Sequence, residues 1–212
     1  MNWIVGNQDL LIRLTLAHIN LVWPPVVLSF ILALPLGAWA QRSQRMNQSL
    51  IIGSGLLYAI PSLALFVVLP TVIGTSILSP LNVIIAMTLY GLALQVRNTA
   101  DALQSVDRSV LAAAQAMGYS NRHRWWAVQL PLALPEMLTG LRVVSASTIS
   151  LVSVGALIGV ESLGTLFTNG FNRAFPTEVA AGVIGTVVLA VLFDVILLAL
   201  TRVVAPWRRK HG

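Results

Sequence analysis

Long apolar runs alternate with short polar breaks along this chain. Five runs, at about 19–40, 50–73, 80–97, 136–160 and 179–203, approach or exceed the roughly 20 residues that carry a helix across a hydrocarbon core. They are continuous, not ten-residue alternating segments, so the pattern predicts membrane helices and not the strands of a β-barrel. No internal repeat or low-complexity tract interrupts the series. The expectation is an all-α polytopic membrane protein, a single domain over 1–212, whose longest polar loop covers about 101–131.

Composition supports the same solvent. Of the 212 residues, 57% are hydrophobic and only 9% charged, against about 25% in a soluble domain. So few charges cannot solvate a globular surface of this length. The chain has no cysteine, which excludes disulfides and thiolate metal sites. Its three histidines, His18, His123 and His211, are too scattered to suggest a ligand cluster. The first nine residues lack the basic region of a signal peptide, so the first span is expected to serve as its own retained insertion signal.

The net charge of +6 would suggest nucleic acid in a soluble protein. Here membrane topology explains it, and no nucleic-acid partner is expected. One set of loops (41–49, 97–131 and the C-terminal tail) holds ten basic residues, including Arg42, Arg45, Arg97, Arg208, Arg209 and Lys210. The other set (1–18, 74–79 and 161–178) holds two, Arg13 and Arg173. The positive-inside rule then places the N-terminus outside and the C-terminus in the cytoplasm, and five spans require opposite ends. Trp39, Trp207 and Trp23 fall near span ends, where interfacial belts favour them.

Prolines punctuate the spans. Pro61, in Ile60-Pro61-Ser62-Leu63-Ala64, lies near the middle of the second and removes a backbone hydrogen bond. In lipid the freed carbonyl needs a protein or water partner. Pro61 and Ser62 are therefore candidates for a kink facing a pathway, with a simple packing kink as the alternative. Pro24-Pro25 and Pro35 punctuate the first span similarly. Gly155 and Gly159 form a GxxxG pattern in the fourth, which permits close helix approach.

The loop at 101–131 carries more structure than a connector needs. Asp107 is a candidate N-cap for a helix through Ala112, Ala113, Ala114 and Met117, and Gly118 is a natural terminator. A second short helix is expected over Arg122–Leu130, ending before Pro131.

The spacing Ala113-Ala114, Gly118 and then Leu130-Pro131 resembles the EAA loop of ABC importer permeases. Leu130-Pro131-Leu132-Ala133-Leu134-Pro135 with Gly140-Leu141-Arg142 extends the match. Ile60-Pro61-Ser62-Leu63-Ala64-Leu65, the 155–164 segment, and Asp194 followed by Pro206-Trp207 are similar to the glycine betaine, carnitine and choline branch. The resemblance implies a type I ABC importer permease-like bundle of about five transmembrane helices with a cytoplasmic coupling loop. It implies residence in the bacterial cytoplasmic (inner) membrane. In that reading Ala112, Ala113, Ala114, Met117, Gly118, Leu130 and Pro131 grip an ABC ATPase subunit. A second permease chain and an external solute-binding protein complete the assembly. Two departures stand out. Ala112 occupies the place of the glutamate that gives the loop its name, and Val160-Glu161-Ser162 replaces a small-residue segment at the outer mouth, where Glu161 could favour cations.

The chain itself is not expected to be an enzyme or to hold a cofactor. A P-loop needs lysine in G-x-x-x-x-G-K-[ST], and the single lysine, Lys210, follows Arg209. ATP is expected to be used by the partner subunit. A permease for another small solute such as an amino acid, a stand-alone secondary transporter and a non-transporting scaffold remain as alternatives. Finally, Arg142 and Asp194 are charges within spans. Counted from Pro131 and Arg202, they lie roughly 16 and 12 Å inward, depths compatible with an ion pair, although each could also snorkel separately to the interface.

Overall fold

The computed structural model describes residues 2–40 and 43–206. Arg42, Trp207, Arg208, Arg209, Lys210 and His211 lie outside the described residues. Among the described residues, ten α-helices follow one another: α1 (Asn2–Gly6), α2 (Gln8–Ala40), α3 (Gln44–Ala59), α4 (Ser62–Ile73), α5 (Pro80–Gln104), α6 (Arg108–Ala116), α7 (Asn121–Arg124), α8 (Leu130–Val152), α9 (Gly164–Asn172) and α10 (Pro176–Val204). A π-helical turn (Trp125–Gln129) joins α7 to α8, and a 3₁₀ segment (Ser153–Ile158) follows α8.

Four helical stretches, Gln8–Ala40, Pro80–Gln104, Asn121–Ile158 and Pro176–Val204, are long and apolar enough to cross a membrane. The bent pair α3 and α4 makes a fifth candidate. Helix α5 is the axis of the bundle, packed against α2, α3, α4 and α8, while α10 lies against α8 and α9. The core is apolar and contiguous: Val22 and Val26 of α2, Phe66 of α4, Val83, Ala86 and Met87 of α5, and Leu141, Val144 and Ile149 of α8. One face of α10 remains uncovered within the chain, with Val187, Val188, Val191 and Val195 exposed.

Several boundaries differ from those the sequence predicts. The first span begins at Gln8, not near residue 19. Its early polar residues find partners on the bundle: Arg13 reaches Glu161 at 3.3 Å, and His18 is fully buried. The third span continues past Arg97 to Gln104. The fourth starts at Leu130, so Pro131 does not end the preceding helix. It lies where the π turn, whose Trp125 carbonyl accepts from the Leu130 N–H, runs on into α8, and the helical path continues through the proline. The predicted second loop helix is one turn of α-helix that passes through the π turn directly into α8.

The second span is broken, not kinked. Its two halves meet at 96°. Pro61 lacks the N–H that would continue the ladder, and a residue before proline is pushed out of the helical region. Ile60 accordingly sits at φ −65°, ψ 130°. The GxxxG pattern also falls outside α-helix. Gly155 is buried in the 3₁₀ segment, and Gly159 ends it in the left-handed region at φ +86°, so the two glycines do not share one helix face.

Candidate functional site

The α6–α7 unit closes one end of the bundle. Asp107 caps α6, its carboxylate accepting from the Ser109 N–H at 2.8 Å. That bond holds the Asp107 carboxyl below the usual carboxylate range. Helix α6 ends at Ala116, and the chain turns away just beyond it at Gly118, whose φ of +87° suits glycine. Ser120 caps α7 by accepting from the His123 N–H at 3.3 Å. Arg124 Nη1 then donates to Gln115 Oε1 at 2.7 Å and clips α7 back onto α6.

The segments on either side of this unit are tied to the membrane helices at specific points. Gln129 Nε2 donates to the Leu103 carbonyl of α5 at 3.1 Å. Ser105 Oγ donates to Glu136 Oε2 of α8 at 2.7 Å. These bonds fasten the π turn to the end of α5 and the α5 cap to α8.

The predicted loop residues divide by orientation. Ala112, Ala113, Met117 and Gly118 are exposed, and Met117 is 71% accessible. Ala114 is buried and faces the bundle. Leu130 and Pro131 are half-buried at the start of α8. Small side chains on the outer face leave room for another backbone to approach, and Met117 offers a flexible apolar contact.

Arg142 of α8 and Asp194 of α10 are brought together as a two-point pair. Nε lies 2.6 Å from Oδ1, and Nη2 lies 2.7 Å from Oδ2. The fork matches the carboxylate in the bidentate arrangement that favours arginine. At the opposite end of the bundle, Glu161 pairs with Arg13 at 3.3 Å. Glu161 is therefore paired at the surface and is not an isolated charge.

Pro61 and Ser62 lie at the α3–α4 break. Pro61 is exposed and Ser62 half-buried. Across the bundle, the Tyr90 hydroxyl of α5 donates to the Ile60 carbonyl at this break. Tyr58 meets Tyr90 edge-on, with ring centroids 5.6 Å apart and planes at 90°.

His18 is a connection that sequence reasoning missed. Leu163 N–H donates to Nδ1 at 3.3 Å, and Nε2 lies 3.0 Å from the Ile149 carbonyl. A backbone amide can only donate and a carbonyl can only accept, so the ring is neutral with its proton on Nε2. His18 thereby links α2 to α8 and to the turn before α9. Its sequence signal was a lone polar ring inside an apolar segment. Among the described residues no group of three His, Cys, Asp or Glu side chains could hold a metal ion.

A multi-helix membrane bundle, a broken second span and a capped helical loop clipped to two spans define a transport permease. The family described as binding-protein-dependent transport system inner membrane component matches residues 20–210, and the chain belongs to it. It is 31% identical over 188 residues to the glycine betaine/carnitine/choline transport system permease protein OpuCD of Bacillus subtilis, covering 88% of this chain and 81% of that protein. It is 32% identical over 211 residues to the osmoprotectant import permease protein OsmW of Salmonella typhimurium, covering 97% of each. Among solved structures, inward-facing MetNI methionine ABC transporter structures share the fold, with a TM-score of 0.83 at 18% identity over 94% of this chain and 98% of that one.

Proposed function

We infer that this chain is the permease subunit of an ATP-driven importer for trimethylammonium osmoprotectants of the glycine betaine, carnitine and choline type. It works with ABC ATPase subunits, a second permease chain and an external solute-binding protein. Its N-terminus lies outside and its C-terminus in the cytoplasm. The substrate class is carried by the near end-to-end similarity to an osmoprotectant import permease, which spans 97% of both chains.

The coupling reading is supported by the exposed Ala112, Ala113 and Met117 face of α6 and by the bonds at Leu103 and Glu136 that join the loop to α5 and α8. ATPase closure pressing on α6 would be passed to both spans. The pathway reading is supported by the exposed irregular backbone at Ile60 and Pro61. At membrane depth such backbone must be covered by protein or face water, so the α3–α4 break belongs at a permease–permease contact or along the aqueous route. Arg142 and Asp194 pin α8 to α10, and their pairing offers a solute anion no free cation.

The test is uptake of labelled glycine betaine, choline and carnitine into vesicles containing the whole complex, with and without ATP and binding protein. The expected result is uptake that requires both. Transport of polar amino acids alone would overturn the substrate class and leave the permease reading intact. Uptake driven by an ion gradient without the ATPase would overturn the importer reading itself.

A further inference from the structure

The α3–α4 break has a specific chemistry. The apolar part of α3 begins near Leu50, so Ile60 lies about 15 Å further in, near the centre of a 30 Å hydrocarbon core. Tyr90, ten residues from the start of α5 at Pro80, reaches the same depth from the other side. Two hydrogen bonds bracket the interruption, Ile60 N–H to the Leu57 carbonyl at 3.3 Å and Leu65 N–H to the Pro61 carbonyl at 3.1 Å. In an unbroken helix the carbonyls of Tyr58 and Ala59 would accept from residues 62 and 63. Among the described residues, no backbone N–H donates to either across the break.

The same place presents an aromatic face. Tyr58 is 40% exposed, whereas Tyr90 is 4% exposed and held by its bond to Ile60. The edge-on contact with Tyr90 therefore fixes the Tyr58 ring and leaves part of it open. Carbonyl oxygens that receive no backbone N–H across the break, beside a partly exposed aromatic ring in the same segment, make an electronegative patch without a formal charge. Around it stand Ala59, Ile60, Pro61 and Leu63, all exposed and apolar. A compact ammonium or a metal ion would lose its hydration at such a site without adequate repayment. A trimethylammonium group is bulky, weakly hydrated and apolar on its surface, and aromatic faces attract it.

We propose that the break is a contact site for the trimethylammonium group of the solute in transit, with the ring of Tyr58 as its face and the Tyr58 and Ala59 carbonyls as its rim. Tyr90 is the positioning residue that holds the ring and the break in place. The proposal rests on the substrate class inferred above. A site without formal charge binds weakly, which suits a pathway where the solute must also leave.

The test uses the complete complex in proteoliposomes, with Tyr58 replaced by phenylalanine and then by phenylalanines carrying one, two and three ring fluorines. Fluorination drains the ring face while changing its shape little. Transport of choline or glycine betaine at saturating binding protein is expected to survive in Tyr58→Phe. It is expected to fall stepwise with each fluorine, reaching about three- to tenfold at the third and in Tyr58→Leu, the range of a partly desolvated cation–π contact. Co-purification of the ATPase and its basal hydrolysis should stay unchanged throughout, which separates the effect from misfolding. Flat transport across the fluorine series, with normal assembly, would overturn the site. A wild-type complex that moves no trimethylammonium solute would instead overturn the substrate class on which the site depends.

Discussion

Arg142 on α8 and Asp194 on α10 face each other with both guanidinium-to-carboxylate contacts at 2.7 Å or less. Fifty-two residues separate them in sequence. A charge without a partner at membrane depth is expensive, so removing one should harm the protein more than removing both. Arg142→Asp and Asp194→Arg are each expected to lose most uptake, and the double exchange should recover a substantial part. Equal failure of the double variant and the singles would show that the contact is not the functional unit.

Gly118 has φ +87°, and a Cβ built there meets nothing within 4 Å. The barrier to substitution is therefore backbone strain, about 1–2 kcal/mol for a residue with a Cβ in the left-handed region. Gly118→Asn should keep most ATPase association because asparagine tolerates that region. Gly118→Val should weaken it. Gly118→Trp should abolish it while the chain still inserts, because bulk is added where the ATPase is proposed to dock. Co-purification of the ATPase reads all three.

Capping by Asp107 carries a defined pH sign. Its folded-state carboxyl lies below the ordinary carboxylate value because the Ser109 N–H bonds the ionised form. The contribution is thus fully present above the unfolded value and is lost as pH falls through the lower folded one. Between pH 5 and 8, Asp107 should impose no pH dependence on ATPase binding, since an ordinary aspartate titrates near ~4. Asp107→Asn should bind nearly as well as wild type, and Asp107→Ala should fray α6 and bind less.

His18 satisfies two buried backbone groups, the Ile149 carbonyl and the Leu163 N–H. Truncation to alanine leaves both without partners and opens a cavity, a cost of about 2–5 kcal/mol. His18→Ala should lower the thermal unfolding midpoint of the purified complex by several degrees. His18→Gln, which can both donate and accept, should recover part of the loss.

Orientation is checked with reporter fusions. Fusions at Asn47, Asn121 and Lys210 should report the cytoplasm, and those at Thr75 and Asn169 the outside. An outside signal at Asn121 would put α6 beyond the reach of ATP-dependent partners.

Much of the architecture was legible in the residues. Apolar runs of span length and the scarcity of charge identify a membrane bundle, because burying a backbone in lipid demands continuous helix. The loop helix was legible too, since an N-cap aspartate, helix-forming residues and a terminating glycine act locally. Boundaries were less legible where polar residues found distant partners. Arg13 and His18 looked like loop residues but lie inside α2. Pro131 looked like a terminator, yet the helical path runs through it, with a π turn just before it.

By itself, then, the chain determined its solvent, its helical spans, the interruption at Pro61 and a capped loop, which follow from the composition and spacing of neighbouring residues, whereas Pro24, Pro25 and Pro35, expected to punctuate the first span, lie inside the continuous α2. Only the tertiary structure decided that Pro61 breaks its span at 96°, that Tyr90 serves the Ile60 carbonyl, that His18 joins three segments and that Arg142 meets Asp194. These depend on helix rotation, depth and crossing geometry, which arise from packing between segments far apart in sequence and leave no periodic trace in any one of them.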